Sequence, residues 1–261
     1  MLLTALIIAR WIYAAKKNWQ LVFVATIFIV NSTNQAIAQA DPFTRLPAGI
    51  PLLNDNMPPG MIGSIQLQRQ PNLRGYFQPI ELTGPKGMRF ALVSDGMFGD
   101  NFPQPVRAAV LVGAVYRFRA VGLPNEPGVE LFPSVEVVDR TYPPAEREHR
   151  FPIPIELDST DIEAALRGEL VTRVIYLEDS TYAEPVSYAG GPQRVFDVKQ
   201  NEDTLKTADA FGRPLAILRI GSRIPAVVEG PEAEHFLFGS PPWTSIKNIP
   251  VGKTLSDIST P

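Results

Sequence analysis

From residue 61 onward the chain reads as short segments in which apolar and polar positions alternate, broken by proline and glycine. Residues 62–67 set Ile62, Ser64 and Gln66 against Gly63, Ile65 and Leu67, which predicts a strand. Residues 76–82 and 88–93 follow as two more, separated by Gly84-Pro85, and Asp95-Gly96 is a strong turn pair. Residues 106–121 form one long β run. Its end puts Tyr116, Phe118 and Ala120 on one face and Arg117 and Arg119 on the other, the mark of a half-buried strand. Residues 129–138 are the next strand. In residues 151–157, Phe151, Ile153, Ile155 and Leu157 share one face, and Pro152, Pro154 and Glu156 the other. Two missing N–H groups forbid a central position, so this segment is predicted at a sheet edge or where the chain changes sheets.

A helix is predicted at Thr160-Asp161-Ile162-Glu163, where Thr160 and Glu163 can satisfy each other's backbone donors as a capping box. Asp158 and Ser159 are the alternative caps. Ile162, Ala165 and Leu166 make the buried stripe, and Gly168 ends it. Residues 170–177 alternate again as a strand, 185–192 read as a loop, and 194–198 and 214–220 are the last strand candidates, with a polar helix over 201–210 between them. Residues 39–60 read as a proline-rich linker. Residues 229–261, rich in proline, glycine and serine, read as a mobile or loosely docked tail. The domain proper is residues 61–228, with 61–180 plus a small extension at 190–228 as the other division. The fold class expected is mainly β: an antiparallel β-sandwich, or an open barrel, with one short helix. In strand pattern, residues 61–180 resemble immunoglobulin-like or fibronectin-like accessory domains of exported bacterial proteins. The resemblance implies a sandwich and carries no site residues with it.

The first 38 residues follow a different pattern. Lys16 and Lys17 flank an apolar run at residues 21–30, and Ala36-Ile37-Ala38 offers a small-x-small site. This is the order of a signal peptide, predicted to be cleaved after Ala38. An apolar patch at residues 2–15, broken by Arg10, leaves open a long leading region, a later start or an uncleaved anchor. Ten apolar residues are short of the ~20 a spanning helix needs, which favours cleavage. The expected location is extracytoplasmic, periplasmic or secreted, or membrane-anchored through the N-terminal segment if uncleaved.

Composition sharpens this picture. The chain has no cysteine, so disulfides, thiolate metal sites, cysteine nucleophiles and a lipid anchor are excluded. An exported chain of this size without disulfides points to a bacterial protein. All 26 prolines follow Ala38, roughly twice the average usage of about 5%, which favours turns and edges over helix. Losing residues 1–38 removes Arg10, Lys16 and Lys17 and no acid, so the net charge goes from −3 to −6. An acidic domain is a poor match for nucleic acid or for an anionic membrane. No membrane contact is expected beyond the N-terminal segment.

Catalytic signatures are sparse. There is no Gly-x-Ser-x-Gly elbow and no Ser-x-x-Lys, and the two histidines, His149 and His235, sit in a charged loop and in the tail. Gly252-Lys253-Thr254 resembles the end of a phosphate loop, but position 247 is Lys where that loop needs glycine. Asp95, Asp100 and Asn101 lie within one turn-rich stretch and are the metal candidates, for calcium, against a plain turn held by its own side chains. Otherwise no cofactor is expected. Trp243, Phe236 and Phe238 could present a sugar or partner platform, or pin the C-terminal segment to the domain. The function expected is that of a non-catalytic structural or interaction protein of a bacterial envelope, with an unknown envelope protein or glycan as partner. The alternative is an envelope glycan hydrolase that uses acidic residues. A concave pocket with convergent carboxylates and aromatics would mark the enzyme; a filled core with convex faces would mark the structural module.

Overall fold

Alternation in sequence becomes strand pairing in most of the segments that display it. The structure, a computed structural model, describes residues 54–179, 195–199, 201–222, 224 and 230–246. The proposed signal segment, the loop at 185–192 and Gly252-Lys253-Thr254 lie outside the described residues. Eleven strands and four helices are present among the residues described. Strands β1 (Phe77–Thr83), β5 (Val106–Leu111), β8 (Ile153–Glu156) and β11 (Trp243–Ser245) form a four-stranded sheet in the order β11-β5-β1-β8. The second sheet runs β3-β2-β6-β7-β10-β9, with β4 (Phe102–Pro103) paired to β2. Its other strands are β2 (Arg89–Ser94), β3 (Met97–Phe98), β6 (Val115–Val121), β7 (Ser134–Val137), β9 (Val171–Glu178) and β10 (Gly212–Ile220). The fold is mainly β, with antiparallel sheets and few helices; neither sheet closes on itself. One pair is parallel: β8 lies beside β1 in the register Ile80 with Ile153.

The largest cluster of buried side chains draws on both sheets. Ile80 and Leu82 of β1, Val106, Ala108 and Val110 of β5, and Ile153 and Ile155 of β8 meet Phe90, Phe118, Val135 and Leu218 of the other sheet. Alternate residues of a strand face opposite ways. Thus Ala216, Leu218 and Ile220 of β10 join this cluster while Ile217 joins a smaller one. That smaller cluster adds Ile62 of helix α1 (Met61–Arg69) and Leu205 of helix α3 (Thr204–Phe211). β10 is buried on both faces over Leu215–Ile220, which explains its near-continuous apolar run.

Several expectations from the sequence are corrected. Residues 62–67 are helical, within α1, rather than a strand. Ile62 and Ile65 would lie on opposite faces of a strand; three apart, they share a helical face, and both are buried. Packing decides the matter. A Cβ on Gly63 would lie 2.8 Å from the Gly113 backbone, so only a glycine lets α1 sit this close to the sheet. The run 106–121 divides at Gly113, whose φ of 87° turns the chain out of β5 in one sheet and into β6 in the other. Phe151 is 48% exposed and does not share the face of Ile153, Ile155 and Leu157, all fully buried. It precedes β8 and belongs to the turn that follows the short 3-10 helix Glu148–Arg150. β8 does occupy a sheet edge, as its prolines require. Helix α2 (Ser159–Leu166) is capped by Asp158, which accepts from the Thr160 N–H at 3.0 Å; Thr160 is inside the helix. Residues 195–199 form no strand. The fold class expected one short helix, with a polar helix over 201–210 as a further candidate, and four helices are present among the described residues. The polar segment at 201–210 contains α3, and a fourth helix, α4 (Pro231–Phe236), lies in the stretch read as a tail. In that stretch β11 also pairs with β5, at Thr244 with Ala109.

Candidate functional site

The site is built around the edge strand β9. Its sequence, Val171-Thr172-Arg173-Val174-Ile175-Tyr176-Leu177-Glu178, is rich in β-branched residues and half-buried along most of its length. β10 pairs with one side of it; among the described residues no strand pairs with the other. Helices α2 and α3 both pack against β9 and β10. Val171 and Ile175 lean on the large core cluster, and Val174 on the small one with Leu205 of α3, so the two helices cover opposite faces of the strand. The chain returns past β9 at residues 195–198. Between these parts lies a cavity of about 390 Å³, open to solvent and lined by every residue of β9 except Leu177.

Its chemistry is uneven. Glu156, Asp158, Asp161, Glu178 and Asp197 line it, against Arg173 as the one cation among the lining residues. Asp161 is almost fully buried and grips Arg173 with both oxygens, Nε to Oδ2 at 2.7 Å and Nη2 to Oδ1 at 2.6 Å. This fork is the strong form of a guanidinium–carboxylate pair. The Asp161 hydrogen bond is the main cause that raises the Arg173 pKa above its ordinary value. Burial opposes it, and the charges of Asp161, Asp197 and Asp158 add to it. Three carboxylates therefore act on a single guanidinium. At the other side the wall is aromatic. Tyr176 and Phe211 stack with centroids 6.1 Å apart at 28°, and Phe196 lies 5.4 Å from Phe211 at 31°. Phe196 and Phe211 are each about half exposed, at 54% and 48%.

Local structure holds these walls in place. Asp203 caps α3 by accepting from the Lys206 N–H at 2.9 Å. Asp55, in the stretch read as a linker, accepts from both the N–H and the hydroxyl of Thr204 at 2.9 Å and returns its own N–H to Asp203. α3 then passes directly into β10 at Gly212. A Cβ there would fall 2.1 Å from the Leu177 carbonyl oxygen, so this junction needs glycine for close approach.

The residues singled out in the sequence lie elsewhere. Asp95 and Gly96 form the two-residue turn between β2 and β3, with Val93 opposite Phe98 and positive φ at both turn positions. Asn101 is engaged by two cations: its carbonyl accepts from Arg89 Nε and Nη2, and its side-chain oxygen from Arg119. Guanidinium groups at that place oppose a calcium ion, and among the described residues no three of His, Asp or Glu converge on a common point. The Asp95, Asp100 and Asn101 stretch borders β3, at the opposite end of the sheet from β9. His149 sits in the turn before β8 and His235 on the exposed side of α4; neither lines the groove. Phe236 and Phe238 flank the Arg117 guanidinium at 4.5 and 4.8 Å from their ring centroids, and Trp243 donates to the Val93 carbonyl at 2.6 Å. These aromatics fasten the C-terminal segment to the sheets rather than form a platform.

Arg173 as the one cation of β9, and Phe196 and Phe211 each beside a polar segment, were the signals the sequence offered for this groove. Their convergence depends on the pairing of β9 with β10, segments far apart in the chain. No helix among the described residues is long and apolar enough to cross a membrane. Comparisons with protein-family models, with curated proteins and with solved structures return no match for this chain.

Proposed function

We propose that this is an exported, non-catalytic interaction protein of a bacterial envelope, with its two sheets stacked as a sandwich and its partner bound in the groove along β9. The accessory-domain resemblance belongs to this reading. Export rests on the N-terminal lysine flank, apolar run and Ala-x-Ala site. The single observation that carries the binding role is the groove itself, concave, with acidic residues on one side and exposed stacked aromatics on the other. Phe196 and Phe211, held half exposed, gain free energy when covered.

The same groove gives the hydrolase reading its support, since carboxylates and aromatics converge there. Two of the acids already have structural work: Asp158 caps α2 and Asp161 is locked to Arg173. Glu178 and Asp197 are the acids that the hydrolase reading would use. The lining contains no serine or histidine. For these reasons binding is the primary reading.

A photo-reactive residue at Phe196 tests it against one at Met97, which is more exposed still, on β3 at the far end of the sheet. Cross-linking in intact envelopes should yield one defined adduct from position 196 and none from 97, lost when Phe211→Ala is added. Equal labelling from both positions would exclude the groove. Turnover of an envelope glycan that survives repurification and disappears in Glu178→Gln or Asp197→Asn would replace binding with hydrolysis. The mature chain should begin at Gln39; a native chain that retains residues 1–38 would favour the anchor.

A further inference from the structure

We propose that Arg89 and Arg119 form a second binding site, for the dianionic phosphate group of a small molecule, toward the end of the sheet opposite β9. Arg89 lies on β2 across from Val121, and Arg119 lies on β6 across from Ala91. The two are therefore diagonal neighbours on one face of the sheet, while Phe90, Leu92, Phe118 and Ala120 turn to the core on the other. Diagonal neighbours on paired strands stand roughly 7–8 Å apart, within reach of long side chains. Both guanidinium groups end on Asn101, between β3 and β4. Arg89 donates to its carbonyl from Nε at 3.1 Å and from Nη2 at 2.5 Å, and Arg119 Nη2 donates to its side-chain oxygen at 3.2 Å.

Two like charges are thus held together by a neutral residue. Arg173, Arg213 and Arg219 each have a carboxylate: Asp161, Asp139 and Glu136. Among the described residues Arg89 and Arg119 have none, and Asp100, next to Asn101 in the chain, pairs with neither. Arg119 Nε is buried with no hydrogen-bond partner among the described residues, so that edge of the cation is left without compensation. Phe98 covers one face of the same guanidinium, with its ring centroid 5.6 Å from Cζ. An anion shared by the two guanidinium groups relieves their repulsion and pairs both charges. A phosphate monoester carries about −1.5 to −2 charges at pH 7 on three acceptor oxygens, which suits two guanidinium forks better than a single carboxylate does. The stretch that reads in sequence as a calcium loop is set against cations once folded. Met97 and Phe98 face opposite sides of β3, so Met97 remains a control for the groove.

The test titrates the full chain with inorganic phosphate and with glycerol phosphate at constant ionic strength, and follows the guanidinium Nε–H signals by NMR. The Arg89 and Arg119 signals should shift together and saturate. Arg167, an exposed arginine paired with Glu169, should not move. Arg89→Gln, at an exposed position, should weaken binding about tenfold or more, with the phosphate-free melting midpoint unchanged. Acetate should bind about tenfold more weakly than either phosphate compound. The tighter of the two phosphate compounds separates a free ion from an ester as the natural source. Shifts that rise without saturating, or that are as large at Arg167, overturn the site. So does an unchanged affinity in Arg89→Gln. Acetate bound as tightly as phosphate overturns the preference for a dianion.

Discussion

Glu136 on β7 is a carboxylate with no exposed surface. One oxygen accepts from Arg219 Nη1 at 3.1 Å, and the other from the Gly63 N–H at 2.8 Å, in the first turn of α1. The helix N-terminus and the guanidinium supply the positive field that a buried anion needs. Arg219 is nearly buried too, and its Nη2 has no partner among the described residues. Glu136→Ala leaves that cation uncompensated and should cost about 3–5 kcal/mol in urea melts. Replacing Glu136 and Arg219 together with leucine should cost less than Glu136→Ala alone. If the pair costs as much or more, the desolvation argument fails. The cap of α2 is a smaller effect at the same scale. Asp158→Ala should lower stability by about 1 kcal/mol, the usual value of a lost cap. Thr160→Ala should cost clearly less, because the Thr160 N–H that Asp158 holds is retained. The reverse order would return the cap to Thr160.

Among the elements, β8 shows how a chain can use prolines in a sheet. Among the described residues its strand partner is β1, in parallel, and Pro154 is exposed while Ile153 and Ile155 enter the core fully buried. Burying such a side chain is worth about 1.5–3 kcal/mol, and a charge in its place adds the cost of desolvation. Ile155→Asp should therefore destabilise several times more than Glu156→Ala or Phe151→Asp, by urea melts. Comparable losses at Ile155 and Phe151 would contradict the exposure of Phe151. Alternation in 153–157 was legible in the sequence. The fate of Phe151 was not, because the strand's start depends on where β1 offers a partner.

Across the whole molecule, Tyr116 on β6 ties the C-terminal segment to the sheets. Its hydroxyl accepts from the Leu111 N–H and donates to the Pro242 carbonyl, both at 2.8 Å. Burial pushes its pKa up from 10.0 to about 12, with the Leu111 hydrogen bond pulling the other way. The folded state thus holds the phenol proton more tightly than the unfolded chain. The stabilisation is complete below pH 10 and is lost as pH rises toward 12. Denaturation midpoints should fall over that interval, and Tyr116→Phe should remove this component of the fall while the lysines and other tyrosines keep theirs. An identical pH profile in the variant would mean that Tyr116 does not ionise in the native state. The same tie explains why a stretch rich in proline and glycine can add a strand. β11 is only three residues long, but Trp243 and Tyr116 anchor its start from two sides.

Local physical chemistry in the sequence decided that the molecule is mainly β, where β1, β2, β6, β9 and β10 lie, that Asp95-Gly96 turns a hairpin, and that β8 keeps to an edge. Each follows from short-range rules: period-two burial, the missing proline N–H, and the φ values a turn demands. Tertiary structure decided the rest. Residues 62–67 read as a strand by alternation, and the close approach of Gly63 to Gly113 above the buried Glu136 makes them a helix instead. The acids at Glu156, Asp158 and Asp161 read in sequence as a strand end and a helix start. They become one wall of a groove only because β9 folds back beside them and α3 brings Phe211 to the other side. Such a site is a sum of long-range pairings, and no window of the chain contains it.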